Sequence, residues 1–165
     1  MGNATRATRD RDTAIKGCVS ALLLLASTAS SLFMMGLIWV IQRVHYPLFR
    51  LADPKRFAEF HAAHSFHITT IVGPVMGVEL LSSWAFVLVA SVDERRWALA
   101  GALLVLVAWG VTALCSVPAH GRLSTGFDDD AHATLVATNW LRTAAWSAHA
   151  MINVYLVHRR LDTLG

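Results

Sequence analysis

Charged residues are scarce in this sequence, since Asp, Glu, Lys and Arg together make up only 15% of its 165 residues while 55% are hydrophobic. A soluble domain of this size carries more charge and shorter apolar runs, so this composition excludes a soluble globular fold. The net charge is only +3, and Lys and Arg do not cluster on any soluble surface. A nucleic-acid-binding surface needs such a basic cluster, so nucleic acid is excluded as a partner.

Cysteine is also rare. The two cysteines, Cys18 and Cys115, lie inside or beside apolar segments and form neither a disulfide framework nor a Cys-x-x-Cys metal pair. Internal repeats, proline-rich tracts and low-complexity segments are missing as well. The sequence therefore predicts one membrane domain over residues 17–158, with a basic cytoplasmic tail at 1–16 and a short C-terminal tail at 159–165.

Four long apolar runs are what the chain does contain. Each is about the length that a helix needs to cross a bilayer, and none shows the alternation of a strand. The connections between them are short, which favours neighbouring helices that run in opposite directions. We therefore predict an all-α integral membrane protein, an antiparallel four-helix transmembrane bundle with spans at residues 17–41, 68–92, 97–119 and 133–157.

Local signals set the expected helix boundaries. Asp53 followed by Pro54 is typical of a helix start, so the second helix is predicted to begin there. Pro118 is predicted to end the third helix. The acidic residues that follow Gly126 are predicted to cap the fourth helix.

Histidines are concentrated at one predicted face of the membrane. If the four helices run up and down, six of the eight histidines lie on this face: His45, His61, His64, His67, His120 and His132. Neutral imidazole is a common ligand of Zn, Cu and Fe. We predict a transition-metal site formed by His45, His61, His64 and His120. The alternative is that these side chains bond to water, lipid headgroups or loop carbonyls.

Lys and Arg are distributed unevenly between the two predicted faces. Eight lie in the two tails and around Arg95, whereas five lie in the connections on the histidine-rich face. Because positive residues accumulate on the cytoplasmic side, both termini are predicted to be cytoplasmic. We expect a multi-pass protein of the bacterial inner membrane, surrounded by lipid, whose histidine-rich face lies outside the cytoplasm.

Two charged residues, Glu79 and Arg142, fall inside predicted spans. A charge that faces lipid is costly, so both are expected to point into the bundle and to pair with each other. With His64, they are the candidate catalytic residues. A purely structural ion pair is the alternative.

The predicted fourth helix carries a polar and aromatic stripe. Asn139, Arg142, Trp146, His149 and Asn153 recur at spacings of three or four and so share one helix face. Such a face must contact protein, a cavity or a ligand. Asn139, Trp146 and His149 are therefore the candidate ligand-binding residues, and interhelical hydrogen bonding alone is the alternative.

Several segments resemble those of a group of small bacterial four-span membrane proteins. The segments are VHYPLF (44–49), FHAAH (60–64), PVMGVEL (74–80), VPAH (117–120), GFD (126–128) and TNWLRT (138–143). In size and layout that group is similar to the anthrone-oxygenase-like membrane family. The resemblance implies a four-span fold over almost the whole chain after residue 36. An Arg often occupies the place of His67 in that group, so the resemblance does not support a role for His67.

These features favour a membrane oxidoreductase that acts on a lipophilic, aromatic or quinone-like small molecule. The histidines would bind metal or move protons, while Glu79 and Arg142 tune the pocket. The alternative is a non-enzymatic binding or assembly protein whose polar residues only hold the helices together. A complete transporter is disfavoured because four helices without inverted repeats are too few. The substrate, the redox partner and the oligomeric state stay open.

Overall fold

The chain folds into helices throughout the part that the structure covers. The computed structural model describes residues 2–163, with the side chains of Arg9 and of residues 11–163. Over this range there is no strand, which confirms the all-α class. The long helices are α1 (Gly2–Val40), α3 (Phe57–Val89), α4 (Val92–Val111) and α6 (Asp129–Asp162). Two short helices, α2 (Tyr46–Leu48) and α5 (Val117–Leu123), follow α1 and α4.

The predicted tails are extensions of long helices where the structure describes them. The basic N-terminal segment is the first part of α1, and α6 continues to Asp162. The side chain of Arg6 and residues 1, 164 and 165 of the predicted tails lie outside the described residues.

Three helical stretches within residues 2–163 are long and apolar enough to cross a bilayer: Arg11–Leu51, Phe57–Val89 and Val92–Leu123. The chain is therefore a membrane protein by helix length and composition. The fourth long helix, α6, is not among the three, because its polar stripe lowers its mean hydropathy. The four-span antiparallel arrangement stays a prediction.

The four long helices pack in a closed ring. Helix α1 contacts α3 and α6, and α4 contacts the same two helices from the other side. One apolar cluster, which includes Ile38, Phe49 and Leu135, fills the bundle near the connections that carry the histidines. A second cluster around Leu24 and Phe86 fills the opposite end. The space between the two clusters is occupied by polar side chains of α6.

The connection after α2 differs from the prediction for the start of the second helix. Asp53 does not cap a helix; its Oδ1 accepts a hydrogen bond from the backbone N–H of Lys55 at 2.9 Å, which closes a turn. Helix α3 begins only at Phe57, three residues after Pro54. The aspartate therefore satisfies its local backbone in a turn, the use that competes with capping for this side chain.

The start of α6 agrees with the prediction that acidic residues cap it. Asp128 Oδ1 accepts a hydrogen bond from the backbone N–H of Ala131 at 2.9 Å, and Arg122 forms a two-pronged pair with the same carboxylate. These partners favour the charged form, so the Ala131 N–H first and then Arg122 lower the pKa of the Asp128 carboxyl. Gly126, with φ +150°, supplies the backbone turn before this cap.

Two π-helical segments interrupt the bundle, at Ile41–His45 after α1 and at Thr112–Ser116 after α4. The backbone N–H of Tyr46 bonds to the carbonyl of Ile41, and that of Val117 bonds to the carbonyl of Thr112. A proline follows in each case, at positions 47 and 118. Because proline lacks an N–H and crowds the preceding turn, it favours a widened turn. The prediction that Pro118 ends the third helix is therefore wrong, since the helix continues into α5.

Candidate functional site

Four histidines from three parts of the chain meet beneath the α2 connection. His45 ends the first π-helical segment, His61 and His64 lie on α3, and His120 lies on α5. We call these four side chains the histidine cluster. They are the same four that the sequence predicted to converge.

The histidine cluster consists of two imidazole pairs. His45 Nε2 lies 2.7 Å from His64 Nδ1, and His61 Nε2 lies 2.9 Å from His120 Nδ1. The pairs are neighbours, because the ring centres of His64 and His120 are 5.8 Å apart. Each short contact requires that one nitrogen carries a proton and the other accepts it. The cluster is therefore two donor–acceptor pairs, and no hydrogen bond joins one pair to the other among the described residues.

Aromatic rings hold the histidine cluster in place. Phe49 is fully buried and touches His45, His61 and His64 edge to face, with centroid distances of 5.4, 6.1 and 5.1 Å. Phe57 stacks on His61 at 5.9 Å. Such packing removes the rings from water and fixes their rotamers. It also leaves His61 Nδ1 and His64 Nε2 buried, with no hydrogen-bond partner among residues that the structure describes.

The other two histidines of the predicted face lie outside the cluster. His132 is buried, and its Nε2 lies 2.8 Å from the Tyr46 carbonyl oxygen while its Nδ1 accepts a hydrogen bond from Arg50 Nε at 3.2 Å. Both ring nitrogens are thus satisfied, and His132 ties α6 to the α2 connection. His67 is exposed. The clustering of six histidines on one face therefore reduces to a group of four.

The histidine cluster is continuous with a cavity of about 330 Å³ between the helices. Tyr46 links the two, because its hydroxyl lies 3.2 Å from His120 Nε2 and both side chains line the cavity. Apolar side chains such as Val72, Met76 and Trp109 form most of the wall. Small-molecule sites combine apolar walls with a few converging polar groups in this way.

Arg142 supplies the charge of this cavity. Its side chain is buried, lines the cavity, and donates from Nη1 to Asn139 Oδ1 at 3.0 Å and to Ser116 Oγ at 3.4 Å. Asn139 in turn donates to Gln42 Oε1 at 2.9 Å. The guanidinium Nε has no partner among the described residues. Neutral groups therefore orient Arg142, and its Nε–H is left as a donor that a ligand could use.

The predicted Glu79–Arg142 ion pair does not form, so that prediction is wrong. Glu79 is fully buried, and its Oε2 accepts a hydrogen bond from Trp146 Nε1 at 2.7 Å. Arg142 lies over the ring of the same tryptophan, 5.0 Å from its centroid. The indole therefore separates the two charges, because helix α6 places Trp146 one turn beyond Arg142 and between it and α3.

His149 belongs to a second polar group, deeper in the bundle. Its Nε2 has three partners within hydrogen-bond distance: Asn153 Nδ2 at 3.2 Å, Ser83 Oγ at 3.3 Å and Ser27 Oγ at 3.4 Å. Glu79 Oε1 is 3.7 Å from the same nitrogen. We call Glu79, Trp146, His149 and these three partners the buried network. The polar stripe of α6 thus faces the bundle interior, as predicted.

A second, more open cavity of about 660 Å³ lies on the outer side of the histidine cluster. His45 lines it together with apolar side chains and the charged residues Arg56 and Glu59. The cluster therefore lies between an outward-facing depression, reached by His45, and the inner cavity, reached by His120.

Three polar residues at or beside the inner cavity were not identified from the sequence: Tyr46 and Ser116, which line it, and Gln42, which bonds to Asn139. All three lie in or beside a π-helical segment. The extra residue of a π turn rotates the side chains that follow by about 100°, so a regular helical wheel assigns them to the wrong face. The proline that closely follows each segment is the sequence feature from which these π turns could have been predicted.

The described residues contain no group of three or more His, Cys, Asp or Glu side chains arranged to hold a metal ion. In the histidine cluster the lone pairs of two nitrogens point at neighbouring imidazoles, which makes them unavailable to a metal unless the rings turn.

No protein-family model, curated protein or solved structure matches the chain.

Proposed function

We propose that the protein is a small oxidoreductase of the bacterial inner membrane that binds a lipophilic, quinone-like molecule in the inner cavity. In this proposal all four long helices cross the bilayer, both termini are cytoplasmic, and the histidine cluster faces the opposite side. Helix α6 can be the fourth span because its polar stripe is turned inward, away from lipid.

One observation carries the proposal: the wall of the inner cavity is mostly apolar, and Tyr46, His120 and Arg142 are among the polar side chains that line it. Tyr46, His120 and Arg142 present hydroxyl, imidazole and guanidinium groups to the same space. A quinone has the complementary form, an apolar ring with carbonyl oxygens that accept hydrogen bonds. Arg142 also stabilises negative charge that develops on such an oxygen during reduction.

In this proposal the histidine cluster supplies protons to the cavity, by transfer inside each hydrogen-bonded pair and across the gap between the rings of His64 and His120, whose centres are 5.8 Å apart. Reduction of a quinone to a quinol takes up two electrons and two protons, and the electrons require a separate redox partner. Protons can move between hydrogen-bonded imidazoles, and Tyr46 joins the His120 end of the cluster to the cavity. Glu79 and His64, predicted as catalytic, then differ in role: His64 belongs to the proton path, whereas Glu79 lies beyond Trp146.

Tryptophan fluorescence tests this binding site, because Trp109 lines the cavity and quinones quench indole emission. Titration of the purified protein with methylnaphthoquinone should give saturable quenching. Gly73→Leu should weaken binding at least about tenfold. Gly73 lines the cavity, so a leucine side chain at this position would fill it.

Gly77→Leu is the matched control, because Gly77 lies one turn along the same helix and outside the cavity lining. At both glycines an added Cβ meets no atom within 4 Å, so neither change is expected to disturb the backbone. Equal quenching by the two variants would refute the cavity as the binding site.

Transition-metal binding by the histidine cluster is a second candidate, favoured by the buried and unpartnered nitrogens His61 Nδ1 and His64 Nε2. Purified protein would then retain stoichiometric Zn, Cu or Fe, and His64→Ala would lose it. His158→Ala is the control, because His158 is exposed near the end of α6. Metal-free wild-type protein that still binds the naphthoquinone would leave the histidines as proton carriers.

A non-enzymatic assembly protein is favoured by a different observation: much of the polar stripe is satisfied by other helices. Asn153 donates to Ser27 Oγ at 2.9 Å and to Ser31 Oγ at 3.1 Å, for example. Under this alternative the naphthoquinone titration gives no saturable quenching, and His120→Ala changes stability alone.

A further inference from the structure

Few ionisable groups lie in the long apolar segments of the bundle. Residues 17–42, 68–89, 97–119 and 133–157 contain only three acidic, basic or imidazole side chains: Glu79, Arg142 and His149. The remaining titratable groups of these segments are Cys18, Cys115 and Tyr155. None of those three is a hydrogen-bond partner of Glu79 or His149 in the described part of the chain.

Glu79 is buried without a fixed cation beside it. Its side chain has no exposed surface, and within the described part of the chain its one side-chain hydrogen-bond partner is Trp146, through Oε2. Oε1 has no hydrogen-bond partner among the described residues and is directed toward His149 Nε2 at 3.7 Å. A carboxylate removed from water needs either an opposite charge or a proton, and His149 is the nearest group that can supply one.

His149 is poised to exchange that proton. Its Nε2 is surrounded by Ser27, Ser83 and Asn153, which can reorient as donors or acceptors. The other ring nitrogen, Nδ1, faces Gly101 of α4, where an added Cβ would lie 2.8 Å away. The ring therefore packs closely against α4 through Nδ1, and Nε2 is the nitrogen that faces Glu79.

We propose that Glu79 and His149 form a buried proton-binding site that shares one exchangeable proton, and that this proton is coupled to an anionic lipophile bound at Arg142. The coupling rests on the proposed function of the inner cavity. Trp146 transmits it, because one ring contacts Arg142 on its face and Glu79 through its N–H.

Charge counting gives the direction of the coupling. With the shared proton in place, Glu79 and His149 together are neutral and the interior carries the single positive charge of Arg142. Without the proton, the Glu79 carboxylate offsets that charge. An anionic ligand therefore binds better to the protonated site, and by linkage its binding promotes proton uptake.

Proton counting tests the site without any ligand. Between about pH 9 and pH 5.5, where exposed carboxylates and arginines do not titrate, Glu79→Gln should take up about one proton fewer per molecule than the wild type. Glu59→Gln is the control, because Glu59 is 70% exposed and paired with Arg56. The proton uptake of this variant over the same range should match that of the wild type. Identical curves for Glu79→Gln and the wild type would overturn the site.

Binding measurements test the coupling with two probes of the same ring, neutral methylnaphthoquinone and anionic hydroxynaphthoquinone. In the wild type, raising the pH over this range should weaken binding of the anion by about three- to tenfold and leave the neutral probe unchanged. In Glu79→Gln the affinity for the anion should depend on pH less than in the wild type; the imidazole of His120, which also lines the cavity, is the same in both proteins. The same pH dependence in both proteins would overturn the coupling, whereas failure of the neutral probe to bind would refute the cavity and leave proton counting to decide the site.

Discussion

At the scale of single residues, similar side chains have different roles because their neighbours differ. His132 has a partner for each ring nitrogen and joins α6 to the α2 connection. His61 and His64 each keep a buried nitrogen that has no partner in the described part of the chain, and both lie beside other imidazoles. A saturated histidine is a structural cross-link, whereas an unsaturated one in a cluster can bind a ligand or pass a proton.

Close packing around His149 gives a stability prediction at this scale. Gly101→Ala should lower the free energy of unfolding by about 1–3 kcal/mol, because its Cβ would lie 2.8 Å from His149 Nδ1. Gly110→Ala, in the same helix and with no atom within 4 Å of its Cβ, should be neutral or stabilising by up to about 1 kcal/mol. Thermal unfolding in detergent measures both, and an equal effect of the two changes would contradict the packing at His149.

At the scale of elements, prolines and helix caps determine where the residues of the inner cavity lie. Each π-helical segment lies just before a proline, and each directs a cavity residue, Tyr46 or His120, to the inside. The Asp128 cap fixes the start of α6 and therefore the depth at which its polar stripe lies. The geometry of the cavity thus depends on features outside the cavity itself.

Pro118→Ala tests the role of the second π-helical segment. Alanine restores the missing N–H, so the segment can return to a regular helix and turn His120 away from Tyr46. Affinity for the naphthoquinone should fall by about two- to twelvefold, as for loss of one hydrogen bond of about 0.5–1.5 kcal/mol, while the protein stays folded. Pro54→Ala, in the turn before α3, should leave affinity unchanged. Unchanged affinity in both would show that the π turn does not set the site.

The Asp128 cap gives a prediction about pH. Its carboxyl has a lowered pKa in the folded protein, so the charged form contributes stability that is fully present above the ordinary value of 3.8 and is lost as the pH falls through the lower folded value. The stability difference between the wild type and Asp128→Ala should therefore be constant at neutral pH and shrink in acid. Chemical denaturation at several pH values measures it; a difference that grows in acid would contradict the cap.

At the scale of the whole molecule, the sequence predicted the helical class and the convergence of His45, His61, His64 and His120, because both follow from long apolar runs and short connections. It did not predict Tyr46 and Ser116 in the cavity, since π turns break the helical period. The pairing of Glu79 with Arg142 was wrong for a different reason. The sequence gives the depth of each residue along its helix, but it does not give the direction in which the side chain points around the bundle axis.

The proposed topology gives a prediction for the whole chain. In a background without Cys18 and Cys115, Lys55→Cys and Asp129→Cys should both react with an impermeant thiol reagent in intact cells, since both lie on the histidine face. Arg95→Cys, at the other end of the bundle, should not react. Labelling of Arg95→Cys alone would invert the topology, and labelling of only one of the first two would exclude four spans.

Photo-crosslinking with a diazirine-bearing naphthoquinone tests the occupied cavity most directly, because mass spectrometry identifies the residues that the bound probe touches. We predict crosslinks to Ile68, Val72 or Met76, which line the cavity, and their loss in Gly73→Leu. Crosslinks confined to outward-facing residues such as Leu81 and Leu88, which are 73% and 76% exposed, and unchanged in Gly73→Leu, would contradict a ligand in the cavity.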